Sequence, residues 1–207
     1  MAEQEAAAEA DPVEFRLRGL TDQRTIDVLR RAAEMIGWQS RPSPNPRRAQ
    51  GDLLVGRGVG LVHYKQAENY VAVATEVVVD PASGRINVRR VTCAHDCGLV
   101  INPDGLRNQI EGCIVQTLSR ALHEEVKFDR SRVTSVDWAS YPILTFPEAP
   151  SIEVALLDRP SLPPFGAGEA ATAPVAAALA NAIFDATGIR LRSVPFTPDR
   201  VKVARSS

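Results

Sequence analysis

The sequence has no surplus of charge of either sign. Twenty-four lysines and arginines stand against 25 aspartates and glutamates, for a net charge of −1 over 207 residues. Without a basic field, nothing recommends a nucleic acid or an anionic membrane as partner. No apolar run approaches the length of a membrane span. The opening residues, MAEQEAAAEADP, are acidic and alanine-rich. They lack the basic start and apolar stretch of a secretory leader, so a cytoplasmic location is expected, or a periplasmic one if a partner carries the chain out. Cysteine is scarce, and three is an odd number, which fits a reducing compartment better than a disulfide framework. No internal repeat is present.

What is present is an ordinary globular composition, with 44% hydrophobic and 24% charged residues, enough for a core that needs no disulfide or metal. Asp11-Pro12 reads as a helix start, with aspartate as cap and proline in the first turn. A second helix is expected over residues 22–36, with Ile26, Leu29, Ala33 and Ile36 on one face and Gly37 as its stop. Residues 38–52 are proline-rich and polar, a linker by composition. Residues 53–64, 70–79 and 85–92 read as strands, the last two joined by the turn Asp80-Pro81-Ala82-Ser83-Gly84. A long helix over 106–125 carries the stripe Leu106, Ile110, Ile114, Leu118, Ala121 and Leu122. A strand over 152–157 and a helix over 174–186 ending at Gly188 follow. The reading is an α+β fold, an antiparallel sheet with packed helices. Its parts are a helical segment (1–37), a linker (38–52) and a main domain (53–207).

Three places carry candidate chemistry. In Gly166-Ala167-Gly168-Glu169-Ala170, a carboxylate follows a Gly-X-Gly loop and precedes a helix. Glycines permit close approach of a ligand and positive φ, and an apolar setting raises a carboxylate's pKa towards that of a general base. The competing reading is that Glu169 caps the helix that follows. Cys93, His95 and Cys97 share a face at strand spacing. Their spacing is not that of a zinc motif and no fourth ligand is near except Cys113, so they read as buried side chains, with no metal assigned. Gln109 offers both a donor and an acceptor to a ligand, or else is a solvated amide. Gly56-Arg57-Gly58-Val59-Gly60 lies in no βαβ unit and is not read as a nucleotide fingerprint.

Taken in order, several stretches resemble the molybdopterin-binding subunit of the xanthine dehydrogenase and aldehyde oxidase family, in its isoquinoline 1-oxidoreductase-like branch. They are Asp11-Pro12-Val13-Glu14-Phe15-Arg16-Leu17-Arg18, residues 70–80, Asp96-Cys97-Gly98-Leu99-Val100-Ile101-Asn102-Pro103, Gln109-Ile110-Glu111-Gly112, residues 138–142, Gly166-Ala167-Gly168-Glu169 and Asn181-Ala182-Ile183-Phe184-Asp185-Ala186-Thr187-Gly188. The resemblance implies part of the second molybdopterin-binding domain of a molybdenum hydroxylase. It implies that Glu169 is the general base for the water-derived oxygen that attacks an electron-poor carbon of an aldehyde or N-heterocycle. The cofactor carries the redox chemistry. It implies cofactor contacts from Gln109, Gly166, Ala167, Gly168 and Ala170, with a molybdopterin cofactor in its plain or cytosine dinucleotide form. Cys113 and Thr117 depart from the small residues usual in the family after Gln109. Family subunits are several times longer and carry a pterin-lining Gly-Gln-Gly loop not found here. Either the subunit is split between two chains or these residues are a fragment of a longer one; a natural split is the favoured expectation, its partner chain carrying the rest of the pterin site and burying part of the hairpin and last helix. [2Fe–2S] clusters are expected on a separate small subunit, since no cysteine spacing here would ligate them. The alternative is a non-catalytic assembly module that retains the fold.

Overall fold

Strand β3 (Asn69–Val79) is the middle of the molecule, and its run of valines and alanines suits burial on both faces. The computed structural model describes residues 1–66 and 68–206; Ala67 and Ser207, which fall inside the expected 53–207 domain, lie outside the described residues. The sheet has five strands in the order β1 (Ala49–Gln50), β2 (Leu53–Tyr64), β3, β4 (Ile86–Asp96) and β5 (Ser151–Leu156). Pairing is antiparallel from β1 to β4. The antiparallel sheet read from the sequence is present over these four strands, and the fifth joins it in the other sense. β5 runs parallel to β4, from Arg90 opposite Ser151 to His95 opposite Leu156. Parallel neighbours need a long crossover, which helix α4 and the segment after it supply.

Helix starts follow their local chemistry. Asp11 Oδ1 accepts from the amides of Val13 (2.9 Å) and Glu14 (2.8 Å) to open α2 (Pro12–Arg18), after a separate short helix α1 (Ala2–Ala7). Asp22 accepts from Thr25 N at 3.0 Å to open α3 (Gln23–Met35). Asn102 accepts from Gly105 N at 2.9 Å to open α4 (Pro103–Leu122). Helix α5 (Val175–Thr187) ends at Gly188, whose φ of 79° lies in the left-handed region, and α6 (Pro198–Ser206) closes the chain.

Two cores result. On one face of the sheet, Val71, Val73 and Cys93 meet Ile110, Ile114 and Leu118 of α4 and Leu179 and Ile183 of α5. On the other, Tyr70, Ala72, Ala74 and Ala94 meet Val28, Leu29 and Ala32 of α3 and Ile36 at its C-cap. The buried face of α3 is thus wider than the expected stripe, and Ile26 sits only at its margin. Helices α2 and α3 of the 1–37 segment form the second helical layer on the sheet, and α1 packs on α2. The 38–52 stretch carries β1, and its Arg41 makes a bidentate ion pair with buried Asp185 at 2.7 and 2.6 Å.

The apolar faces of the hairpin and of α5, expected to meet a partner, are instead covered within the chain. Alternating side chains give β3 and β4 two apolar faces, and helices reach both. Exposed large apolar side chains sit elsewhere, among them Phe128, Val136, Trp138 and Phe146 in the irregular stretch after α4.

The glycines of β2 owe their place to α5. A Cβ on Gly56 would meet Ala186 N at 2.3 Å, one on Gly58 would meet Ala182 N at 2.2 Å, and one on Gly60 would meet Pro174 O at 2.2 Å. They let α5 lie backbone against backbone on the strand, with Ala178, Ala182 and Ala186 as its matching stripe.

Candidate functional site

The loop Gly166-Ala167-Gly168-Glu169 lies between β5 and α5 and is held from three sides. The chain first runs back along the end of β4, where Arg159 N donates to Gly98 O (3.1 Å) and Phe165 N to Cys97 O (2.9 Å). Asp96, fully buried, holds this crossing with two guanidiniums. Arg24 donates to it at 2.5 Å from α3, and Arg159 at 2.9 Å from the loop itself. Burial pushes the Asp96 carboxyl up. The hydrogen bonds from Arg24, Arg159 and the Gly98 amide outweigh it, so the group lies below the usual carboxylate range.

The loop proper is anchored by side chains. Asn69, buried at the start of β3, donates from Nδ2 to Gly166 O at 2.9 Å. Gln109 donates from Nε2 to Gly168 O, and the Cys113 thiol, one helical turn further along α4, reaches the same oxygen at 3.4 Å. Beyond the loop, Thr172 donates to Glu169 O through its amide at 3.0 Å and its hydroxyl at 2.7 Å. The Tyr64 hydroxyl, from the last residue of β2, donates to Glu169 Oε1.

The structure therefore brings Glu169, Gln109, Gly166, Ala167, Gly168 and Ala170 together. Glu169 occupies the N-cap position of a short 3-10 turn (Ala170–Thr172), yet its side chain makes no capping bond and is taken by Tyr64 instead. Gln109 is exposed but engaged through Gly168 O. Ala170 is fully buried and packs into the core under α4 and α5. Two expectations change. Glu169 is exposed within this chain, not enclosed by apolar neighbours. Gly166 and Gly168 do not adopt positive φ. Tyr64 and Asn69 were not picked out from the sequence. They flank the turn of the β2–β3 hairpin, and the only local hint is two polar-tipped residues bracketing it.

What the glycines do instead is leave room. A Cβ added at Gly112, Gly166 or Gly168 would have nothing within 4 Å. Among the described residues no contact and no backbone conformation requires glycine at these three positions, unlike Gly56, Gly58 and Gly60. Together with the exposed Gln109 and Glu169 they make an open polar face. It has backbone that a large planar group can approach closely, an amide at one side and a carboxylate at the other. That donor and acceptor set fits a pterin-type cofactor, whose edges are hydrogen-bonding amides and amines. A surface cavity of about 350 Å³ lined by Trp38, Arg41, Arg47 and Arg57 shares no residue with this face.

The cysteine and histidine cluster is different in kind. Cys93 and His95 are buried on β4 and Cys97 just past its end, and Cys93 lies in the first core. Among the described residues no group of three His, Cys, Asp or Glu side chains is placed to hold a metal. Burial pushes the thiols of Cys93, Cys97 and Cys113 up, so they stay protonated and poorly nucleophilic. Cys113 and Thr117 face the core, and Thr117 Oγ1 donates to Cys113 O at 2.8 Å. Among the described residues no helix is long and apolar enough to cross a membrane.

Residues 63–150 match the family described as molybdopterin cofactor-binding domain. A nicotinate dehydrogenase subunit from Pseudomonas putida is 47% identical over 204 residues, covering 96% of this chain and 17% of that protein. An isoquinoline 1-oxidoreductase subunit from Brevundimonas diminuta is 34% identical over 198 residues, covering 95% of this chain and 24% of that protein. The sequence thus spans about a quarter or less of the length of these curated relatives. Among solved structures, quinoline 2-oxidoreductase from Pseudomonas putida 86 superposes with a TM-score of 0.63 at 28% identity, over 67% of this chain and 19% of that one. Aldehyde oxidoreductase from Desulfovibrio gigas superposes with a TM-score of 0.60 at 28% identity, over 67% of this chain and 16% of that one.

Proposed function

This chain belongs to the molybdopterin-binding subunits of the xanthine dehydrogenase and aldehyde oxidase family, and on that premise we propose that it forms one wall of a molybdenum hydroxylase site, with Glu169 as general base. The observation that carries this reading is the pairing of an exposed carboxylate with three glycines, Gly112, Gly166 and Gly168, that no contact among the described residues requires. When bound, a molybdenum cofactor supplies the oxygen transfer and the two-electron oxidation. The chain supplies position and a proton acceptor. Gln109 holds the loop through Gly168 O and leaves its amide oxygen for a cofactor edge. The backbone of Gly166, Ala167 and Gly168 offers close approach, and Ala170 anchors the loop's far end in the core. Glu169 takes the proton released as water-derived oxygen adds to the substrate carbon.

The substrate class proposed is an N-heterocycle or an aldehyde. It rests on the names of the relatives, which refer to nicotinate and isoquinoline in the closely matching sequences and to quinoline and aldehydes in the superposed structures. The rest of the cofactor site is proposed to come from polypeptide outside these residues, on a partner chain, with [2Fe–2S] clusters on a separate subunit and the cofactor in its plain or cytosine dinucleotide form. The naming of the relatives as subunits favours a multi-subunit complex, and each of those subunits is a single longer polypeptide of which these residues match 17% and 24%. The proposed parts of this chain are 1–37, 38–52 and 53–207, with the helices α2 and α3 of the first packed on the sheet of the last.

The deciding experiment replaces Glu169 by Gln in the assembled complex. Turnover is expected to fall by at least about a hundredfold with molybdenum content unchanged, the size typical of removing a general base. Turnover near the wild-type level would leave the non-catalytic assembly module as the better reading.

A further inference from the structure

Tyr64 ends β2, paired across the hairpin with Asn69. Its ring is half-buried and packs against the first core, which limits its motion. The Lys65 ammonium lies 5.5 Å from the ring centroid, a second restraint on its plane. The hydroxyl donates to Glu169 Oε1, and among the described residues nothing bonds Oε2. Next to this pair, Asn69 holds Gly166 O from the other end of the same turn. The hairpin end thus grips both ends of the Gly166–Glu169 loop, one by its backbone and one by its functional group.

We propose that Tyr64 is the positioning residue for Glu169: its hydroxyl fixes Oε1 and so makes Oε2 the oxygen that takes the proton. This deepens the reading of Glu169 as general base and rests on it. A carboxylate on a glycine-rich loop has free rotation about its side chain, and a base must be held within a fraction of an ångström to act. Helix capping does not restrain it here, and the loop's other anchors act on the backbone. Tyr64 alone of the described side chains bonds the carboxylate itself. In keeping with this contact, the hydrogen bond to Glu169 pushes the Tyr64 phenol up.

The test has two arms, both on the complex as it purifies from its host. In the first, 3-fluorotyrosine is placed at position 64 and its single fluorine resonance is titrated, with Glu169 intact and with Glu169→Gln. The phenol is expected to ionise at a lower pH once the carboxylate is gone. Identical titrations would mean that the two groups do not touch, and would overturn the proposal whatever the activity. In the second arm, Tyr64→Phe is expected to lower kcat about tenfold or more while KM stays within about twofold and molybdenum content is unchanged, since only the base is misplaced. An unchanged kcat with Glu169→Gln inactive would overturn the positioning role and leave the base intact. An active Glu169→Gln enzyme would overturn the base and the positioning role together, while the fluorine titration still reports the contact.

Discussion

Asn69 and Gly166 stand 97 positions apart, and a 2.9 Å hydrogen bond from the Asn69 amide to the Gly166 carbonyl ties the start of β3 to the loop that carries Glu169. The asparagine is fully buried, so its side chain cannot wander and the loop inherits the rigidity of the sheet. This is the link from core packing to the candidate site.

Asn69→Ala is expected to destabilise the fold by about 0.5–1.5 kcal/mol, the net worth of one part-buried hydrogen bond whose remaining partner sits on exposed Gly166, read as a fall in the denaturant midpoint. Hydrogen exchange should rise at the amides of 165–169 more than elsewhere. Equal protection of that loop in the variant and the wild type would mean the bond does not restrain it.

Two glycine-to-alanine changes are expected to part company. Gly58→Ala places a Cβ 2.2 Å from the Ala182 backbone nitrogen, which only a displacement of α5 relieves. A loss of about 3 kcal/mol or more is expected, at the upper end of overpacking effects. Gly112→Ala meets nothing within 4 Å and lies inside α4, where alanine is favoured by roughly 0.5–1 kcal/mol. Its thermal midpoint should hold or rise while molybdenum retained by the purified complex falls. Full molybdenum in Gly112→Ala would show that no cofactor approaches that backbone.

His95 gives a pH dependence of stability. Its side chain is fully buried on β4, and neither ring nitrogen has a partner among the described residues. Burial therefore pushes its pKa down to about 4, against a smaller opposing pull from Asp96. The folded protein binds fewer protons here than the unfolded chain does. The contribution to stability is thus complete above the ordinary histidine value of 6.5 and is lost as pH falls from there towards 4. Between pH 7 and pH 5 the loss should be on the order of 2 kcal/mol. Asp96 is depressed as well, but its loss falls below the carboxylate range and outside this interval. Denaturant titrations at the two pH values, repeated on His95→Leu, check this. An equal drop in the variant would place the effect on another group.

How much was legible follows from how far each determinant reaches. The caps Asp11 and Asp22 bond amides two or three residues away, so the starts of α2 and α3 could be read locally, while α4, capped by Asn102, opens at Pro103 and ends at Leu122 where residues 106–125 were expected. The valines of β3 and the stripe of α4 announce strand and helix by their periods. The parallel partner of β4 could not be read. The first contact of β5 with it, Arg90 opposite Ser151, spans the whole of α4 and the irregular segment. The same holds for Gly56, Gly58 and Gly60, whose reason is a helix more than a hundred residues later. At the candidate site, Glu169 and the Gly-X-Gly before it were visible as a local arrangement, and Gln109 as an amide on a helix. Tyr64 was not, because its only signal is a bond across 105 residues.

The residues alone thus determined most of the helices and strands, though not β1 or α6, and the carboxylate on a glycine loop. These depend on capping, side-chain period and composition, which act within a few residues. The tertiary structure decided the rest. It turned β5 parallel, laid α2 and α3 onto the sheet as a layer, and separated glycines required by packing from glycines that leave a face open. It also set Asn69, Gln109 and Tyr64 around the Gly166–Glu169 loop. Each of these is a contact between surfaces that exist only once distant elements have packed, and no local property of the chain encodes them.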